Sequence, residues 1–202
     1  MTPIEYDFVK RVCQSQIPEG PVLEVGSLNV NGSIRDCFAG LEYLGVDQQA
    51  GRGVDRLMDA HRLEFPADSF ATVVATSLLE HVQDPARCVR EMRRVLRPGG
   101  LLIINMSGLG FPFHAYPADY WRATEQTFAA IFFAGIADVI RERVHGCAVA
   151  GFREEELVFG IENTGHCIHG WARMRPGPDL PARSEWADLV AWSMGAPCAE
   201  LS

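Results

Sequence analysis

The chain is poor in lysine, in paired cysteines and in long apolar runs, and each shortage argues against a class of protein. Lys10 is the only lysine and the net charge is −8, so a non-specific grip on nucleic-acid phosphates, which needs clustered cations, is not expected. The six cysteines form no Cys-x-x-Cys pair, which favours reduced core thiols. No apolar run approaches the ~20 residues of a spanning helix, and the first residues lack a signal-peptide pattern. We therefore expect a cytoplasmic protein without nucleic-acid or membrane partners, of unknown oligomeric state.

What remains is the composition of one globular domain. The 202 residues are 48% hydrophobic and 22% charged, which is ordinary for a folded domain with a full core. Segments of strand and helix character alternate along the chain, which is typical of an α/β three-layer sandwich. We assign residues 1–175 to one domain and residues 176–202 to a proline-rich C-terminal tail with room for a short helix.

The apolar segments between turn residues predict the strands. The predicted strands are 22–26, 42–47, 54–59, 70–75 and 101–105, followed by 138–146 and 166–174. The segment between the last two gives no clear pattern. The last strands are therefore the weakest part of the prediction.

Helical spacing and capping signals predict the helices. A first helix over 3–16 carries Ile4, Phe8, Val9 and Val12 along one face. Residues 32–38 predict a short helix. Another begins at Asp84-Pro85 and is stopped by Pro98-Gly99-Gly100, and a third runs from Thr124 to about residue 134. The stretch 107–123 is a long loop rich in glycine, proline and aromatic residues.

Three acidic residues fall at the ends of three successive predicted strands. Glu24 comes just before the turn at Gly26, Asp47 ends the second strand and Asp59 ends the third. In a doubly wound α/β domain the carboxyl ends of the strands form the ligand crevice. Acids at these ends fit a ligand with an amine, a ribose diol and an adenine amino group. This favours S-adenosylmethionine over a dinucleotide.

Six segments in fixed order resemble the class I S-adenosylmethionine-dependent methyltransferases, and most closely their methyltransferase type 11 branch. The six segments are Val22–Gly26, Tyr43–Asp47, Met58–Ala60, Ser69–Val74, Leu79–Val82 and Arg94–Gly100. The resemblance covers roughly residues 20–175. It implies a Rossmann-like seven-stranded, mostly parallel sheet whose last strand inserts antiparallel.

The resemblance also implies a role for each cofactor-binding residue. Glu24, Gly26 and Ser27 would approach the methionine part of the cofactor, and Thr76 and Leu78 would line the same arm. Asp47 would accept from both ribose hydroxyls, because a carboxylate offers two acceptor oxygens. The residues implied for the adenine are Gln48, Asp59 and Ala60.

The first loop departs from the family's Gly-x-Gly-x-Gly arrangement. Gly26 is followed by Ser27-Leu28-Asn29, and the next glycine is Gly32. The loop therefore either takes a different path or uses Asn29 and Asn31 for left-handed turns, which Asn tolerates.

The candidate catalytic residues are His81, His114 and Asp119. His81 follows strand four and would act as a base or would hold its loop by a hydrogen bond. The other two lie in Phe111–Arg122, a segment similar to a His…Tyr-Pro-x-Asp-Tyr-Trp-Arg stretch of bacterial members of the branch. Either could take a proton from the acceptor. The structural alternative is that Asp119 pairs with Arg122 while Tyr120 and Trp121 pack on the core.

Two His/Cys pairs raise the question of a metal. His145 and Cys147, and Cys167 and His169, stand two residues apart, a spacing that puts each pair on one face of a strand. The spacing matches no familiar zinc pattern. We predict no metal and interpret these side chains as buried thiols and hydrogen-bonded histidines.

The predicted function is methyl transfer from S-adenosylmethionine to an oxygen or nitrogen of a small molecule, in a pocket roofed by the 107–123 loop. The alternative is a non-catalytic cofactor-binding or partner protein on the same fold, supported by the altered first loop. A nicotinamide-dependent oxidoreductase is disfavoured because Gly-x-Gly-x-x-Gly is absent after the first strand.

Overall fold

A seven-stranded sheet forms the centre of the computed structural model, which describes residues 2–115, 118–132 and 159–173. The strands are β1 (Val22–Val25), β2 (Tyr43–Asp47), β3 (Arg56–Leu57), β4 (Phe70–Ala75), β5 (Leu96–Ser107), β6 (Phe159–Asn163) and β7 (Cys167–Arg173). Their order in the sheet is β3-β2-β1-β4-β5-β7-β6. β1 to β5 pair in parallel, and β7 inserts antiparallel between β5 and β6. The predicted Rossmann-like sheet is confirmed.

Helices cover both faces of the sheet and complete the three layers. They are α1 (Pro3–Gln16), α2 (Pro85–Val95) and α3 (Glu125–Phe132), with 3₁₀ turns at Arg35–Phe38 and Leu79–His81. The apolar side of α1 packs on one face of the sheet, with Phe8 and Val9 buried. α2 and α3 pack on the other face, with Met92 and Phe128 fully buried. Among the described residues, no helix has both the length and the apolar character needed to cross a membrane.

The first helix has the predicted bounds and buries Phe8, Val9 and Val12 as predicted, but not Ile4. Ile4 is 46% exposed, whereas the Glu5 side chain is buried. Glu5 stands three and four residues before Phe8 and Val9, so it occupies the apolar stripe itself. The prediction that Ile4 faces inward was wrong, because Glu5 finds hydrogen-bond donors inside the protein.

The Pro-Gly-Gly segment lies within a strand instead of ending a helix before one. α2 ends at Val95 and β5 begins at once with Leu96. The parallel register then jumps from Phe70 opposite Leu96 to Thr72 opposite Leu101. The residues between Leu96 and Leu101 form a bulge in the ladder, and Gly99, with φ +77°, takes the left-handed conformation there.

The last predicted strands have mixed outcomes. The strand predicted over 166–174 is β7, and β6 at Phe159–Asn163 had no predicted counterpart. The strand predicted over 138–146 and the tail 176–202 lie outside the described residues. The predicted third strand is reduced to the two residues of β3, and Asp59 instead bridges to Arg62.

A glycine in β2 lets the loop after β1 lie directly on the sheet. A Cβ at Gly45 would stand 2.5 Å from the Gly53 carbonyl oxygen and 2.7 Å from Ser27 Oγ. Neither contact can be relieved by rotating a long side chain. Because Gly45 has no side chain, Ser27 can lie directly above β2.

Gly45→Ala should lower the free energy of unfolding by about 1–3 kcal/mol, the usual cost of overpacking. The control is Gly51→Ala, where the added Cβ meets only the mobile end of the Leu28 side chain and the expected change is within about 0.5 kcal/mol. Denaturant unfolding of both variants measures the difference. Equal stabilities would show that the Gly45 contact does not constrain the loop.

Candidate functional site

A cavity of about 530 Å³ opens at the carboxyl edge of the parallel strands. Parallel strands bring their carboxyl ends to one edge of the sheet, and Glu24, Asp47 and Asp59 meet there. The lining includes eleven of the twelve predicted site residues: Glu24, Gly26, Ser27, Asp47, Gln48, Asp59, Ala60, Thr76, Leu78, His81 and His114. Asp119 is not among the lining residues. The strand-end positions are thus brought together around one space.

The loop after β1 takes its own path, and asparagine does not supply left-handed turns. Gly26 and Gly32 have positive φ angles, +83° and +143°, whereas Asn29 and Asn31 do not. The Asn29 side chain instead accepts a hydrogen bond from Gly32 N at 2.9 Å. Gly26 is also held close to Leu78, since a Cβ there would lie 3.0 Å from its Cδ1. The alternative that Asn29 and Asn31 supply left-handed turns was wrong, and the positive φ angles are those of Gly26 and Gly32.

Asp47 is positioned by backbone N–H groups on both sides of it. Its Oδ2 accepts from Leu28 N at 3.2 Å and its Oδ1 accepts from Gln49 N at 2.9 Å. These bonds orient the carboxylate at the cavity wall. Each oxygen keeps a lone pair, so the group can still accept from two adjacent hydroxyls.

Asp59 is fixed by its neighbours in a more exposed position. Its Oδ1 accepts from Gln48 Nε2, from His61 N and from the His61 ring, all within 2.9 Å. Partial burial would raise the pKa of Asp59, but the hydrogen bonds from His61 and Gln48 lower it below its usual value. The carboxylate therefore stays ionised and its second oxygen can accept from a ligand.

Glu24 is a buried acid, and few nearby groups stabilise its negative charge. Its side chain is 6% exposed, and Oε2 accepts from the Tyr43 hydroxyl at 2.7 Å. Burial raises the pKa of Glu24 to about 7, and the Tyr43 hydrogen bond only partly opposes this. A cation beside Glu24 would favour its ionised form. The neighbouring Ser27 Oγ is buried without a hydrogen-bond partner among the described residues.

Glu5 is a cavity residue that sequence reasoning missed. Its Oε1 accepts from Ser77 Oγ at 2.7 Å and from Asn105 Nδ2 at 2.8 Å. Burial would raise the pKa of Glu5, but the hydrogen bonds from Ser77, from the Thr2 backbone and from Asn105 lower it. The bonds tie α1 to the loop after β4 beside the cavity. An acid on the apolar stripe of the first helix was the available signal.

Two of the histidines that line the cavity contact each other. The rings of His81 and His114 meet edge to face with centroids 4.8 Å apart. His81 Nδ1 contacts the Ala118 carbonyl oxygen, and His114 Nδ1 lies 3.2 Å from that of Pro112. Glu80, which sequence reasoning also missed, is buried behind them, with His114 Nε2 3.9 Å from its Oε1. The signal for Glu80 was its place next to His81 in Leu79–Val82.

Asp119 braces the loop that carries His114. Both of its oxygens accept from the Arg122 guanidinium, and Oδ2 also accepts from His114 N at 2.8 Å. The Arg122 hydrogen bonds hold the pKa of Asp119 well below its usual range. The alternative that paired Asp119 with Arg122 is thus observed. Tyr120 and Trp121 are 50% and 43% exposed, so the expected core packing of these two rings was wrong.

The His/Cys pattern is only half described. Cys167 and His169 are both buried on β7, with Cys167 Sγ 3.8 Å from Glu5 Oε1 and the His169 ring 4.7 Å from that of Phe8. His145 and Cys147 lie outside the described residues. The buried thiol expected at Cys167 is observed.

Comparison with known proteins agrees with this geometry. The family described as "Methyltransferase domain" matches residues 35–104. One curated relative is 2-methyl-6-phytyl-1,4-hydroquinone methyltransferase 2 of Oryza sativa subsp. japonica, which is 31% identical over 76% of this chain and 47% of its own length. Another is ubiquinone biosynthesis O-methyltransferase of Hahella chejuensis, which is 29% identical over 59% of this chain and 57% of its own length. The chain thus spans about half the length of these relatives.

A solved structure shares the fold. The 1,6-didemethyltoxoflavin-N1-methyltransferase of Burkholderia thailandensis, which holds S-adenosylhomocysteine, superposes with a TM-score of 0.55 over 85% of this chain and 78% of its own, at 15% identity. These similarities agree with the prediction of S-adenosylmethionine as the cofactor. Strand order, site position and sequence match confirm the resemblance to the class I S-adenosylmethionine-dependent methyltransferases and to their methyltransferase type 11 branch.

Proposed function

We propose that this protein transfers the methyl group of S-adenosylmethionine to an oxygen or nitrogen of a small-molecule acceptor. The observation that carries the proposal is one cavity lined both by the strand-end acids and by His81 and His114. Such a cavity can hold the methyl donor and an acceptor in line. Methyl transfer is a direct displacement, so positioning supplies much of the rate.

The acids account for the nucleoside part of the cofactor in this proposal. Asp47 accepts from the ribose hydroxyls with the lone pairs that its backbone bonds leave unused. Asp59 accepts from the adenine amino group, and Gln48 and Ala60 lie beside the ring. The hydrogen bonds to Asp47 and Asp59 fix both carboxylates before the ligand arrives, which reduces the ordering cost of binding.

The methionine part fits the wall between β1 and β4. Glu24 would face the cofactor's ammonium group, and the unpartnered Ser27 hydroxyl would gain a polar partner. Gly26 permits close approach of the backbone, while Thr76 and Leu78 line the same arm. No lysine or arginine lies among the described lining residues. An acidic lining of this kind suits a sulfonium cofactor, whose sulfonium and ammonium groups outweigh its one carboxylate.

The acceptor lies, in this proposal, against the two histidines and the 107–123 loop. His81 and His114 assist the acceptor in losing its proton, because both line the cavity. Asp119 is a positioning residue, since it holds the His114 backbone and lies outside the lining. One curated relative is named an O-methyltransferase of ubiquinone biosynthesis, which favours a hydroxyl acceptor. A cytoplasmic location stays a prediction.

Asp47→Ala should weaken S-adenosylhomocysteine binding by about tenfold or more, because each hydrogen bond to a charged group contributes about 1.5–3 kcal/mol. Isothermal titration calorimetry measures the dissociation constant. Glu64→Ala, which removes an exposed acid outside the lining, is the control and should bind normally. An unchanged affinity for Asp47→Ala would refute the ribose assignment.

The affinity for S-adenosylhomocysteine should rise roughly tenfold between about pH 6 and pH 8. The reason is that the pKa of Glu24 is raised to about 7, and only the ionised carboxylate attracts the ligand's ammonium group. Glu24→Gln should bind more weakly at pH 8 and lose this pH dependence, whereas the exposed Glu19→Gln should keep it. A flat profile for the unaltered protein would contradict the contact.

The activity itself is tested with methyl-labelled S-adenosylmethionine and a panel of phenols, hydroquinones and primary amines. Label should pass to one acceptor class, and His114→Ala should lower turnover by at least about 100-fold while S-adenosylhomocysteine binding stays within about threefold. Cofactor binding without transfer to any member would support the non-catalytic alternative.

A further inference from the structure

A cluster of one carboxylate and two imidazoles stands beside the cavity, and its two imidazoles line it. Glu80, His81 and His114 each place one ligand atom so that all three atoms lie within 4.8 Å of one another. We propose that these residues hold a divalent cation of the zinc type, which binds a hydroxyl of the acceptor. The cation site stands on its own geometry, and its role in catalysis rests on the methyl transfer proposed above.

The hydrogen bonds of both rings leave a lone pair available for a cation. A backbone carbonyl oxygen can only accept, so the contacts of His81 with Ala118 O and of His114 with Pro112 O place a proton on each Nδ1. His114 Nδ1 also lies 3.4 Å from Asp119 Oδ2, a second acceptor, and 3.5 Å from Arg122 Nη2, a donor. Both acceptors are nearer than the donor, which favours the proton on Nδ1. Each Nε2 is then a bare lone pair. Metal-binding histidines are typically oriented in this way, with the second nitrogen donating to a carbonyl or carboxylate.

Glu80 supplies a second and independent observation. Its side chain is 1% exposed, and its Oε1 accepts from Ser107 Oγ at 2.7 Å. Its Oε2 is buried and has no hydrogen-bond partner among the described residues. A buried carboxylate oxygen without a partner is costly. A cation between Glu80 and the two histidines would remove that cost.

The spacing is compatible with coordination. Metal–ligand distances of about 2.0–2.2 Å place tetrahedral ligands roughly 3.4 Å apart, whereas His114 Nε2 lies 3.9 Å from Glu80 Oε1. That gap is too long for a hydrogen bond. The three ligand atoms lie within 4.8 Å of one another, so coordination requires the longest separation to shorten by about 1.4 Å or less.

The donor set indicates both the metal and the acceptor. Two imidazoles and one carboxylate suit Zn²⁺ or Co²⁺ better than Mg²⁺, which prefers an all-oxygen shell. Three protein ligands leave one position open, and both histidines face the cavity. A hydroxyl bound there has a lowered pKa and loses its proton to water. The methyl group then passes from the sulfonium sulfur to that oxygen, and the neutral thioether leaves.

The test begins with metal binding in the absence of turnover. Full-length, tag-free protein is treated with chelator and titrated with Zn²⁺ by calorimetry and with Co²⁺ by visible absorption. We expect one metal site per chain, with the visible absorption of Co²⁺ bound by nitrogen and oxygen ligands. Glu80→Gln and His114→Ala should each weaken binding at least tenfold, and Ser107→Ala, which frees Glu80 Oε1, by roughly tenfold.

The control is His166→Ala, an exposed histidine whose ring contacts Gly110 O and whose loss should leave Zn²⁺ affinity unchanged. Thiolate-to-cobalt bands, absence of binding, or an affinity unchanged by Glu80→Gln and His114→Ala would overturn the site. Methyl transfer that is equal with and without chelator would overturn its catalytic role. S-adenosylhomocysteine titration of the same protein tests the methyltransferase proposal separately, because the residues assigned to the cofactor are not those assigned to the cation.

Discussion

The parallel register of β1 against β2 and β4 is the constraint on which the site depends. Glu24 pairs with Gly45 on one side and Val74 on the other, so the three strands end at one level. Asp47 and Thr76, which end β2 and follow β4, therefore reach the same edge as Glu24. The cavity exists because the chain turns away from the sheet at this edge. A shift of register by one residue would move the side chains of a strand to the opposite face of the sheet.

Close packing of backbone on backbone holds the edge in shape. Gly45 and Gly53 admit the loop at Ser27 without a side chain between, and Asp47 accepts from that loop at Leu28 N. The family's loop carries its glycines within itself. In this chain the loop turns at Gly26 and at Gly32, and it packs closely on the two glycines beneath it. The described lining of the cavity contains no lysine or arginine beside Glu24, Asp47 and Asp59, so the site favours a cationic ligand.

The parts of the fold that sequence could predict are those with strong local signals. Apolar runs predicted β1, β2 and β4, and Thr2-Pro3 and Asp84-Pro85 mark the starts of α1 and α2 as capping rules require. Glu80 could not be predicted as a buried residue, because its burial depends on Ser107, a distant residue on β5. Ile4 was placed inward because hydrophobicity alone cannot show that Glu5 meets Ser77 and Asn105. Long-range polar contacts of this kind leave only a weak local signal, such as an acid on the apolar stripe of a helix.

The central claim, that the strand-end acids surround a site for S-adenosylmethionine, is tested most directly by calorimetric titration of the full chain with S-adenosylhomocysteine and, separately, with NADH. The account predicts one site per chain for S-adenosylhomocysteine, with a dissociation constant on the order of micromolar, and no heat of binding with NADH. Binding of NADH alone, or of neither ligand, would contradict it.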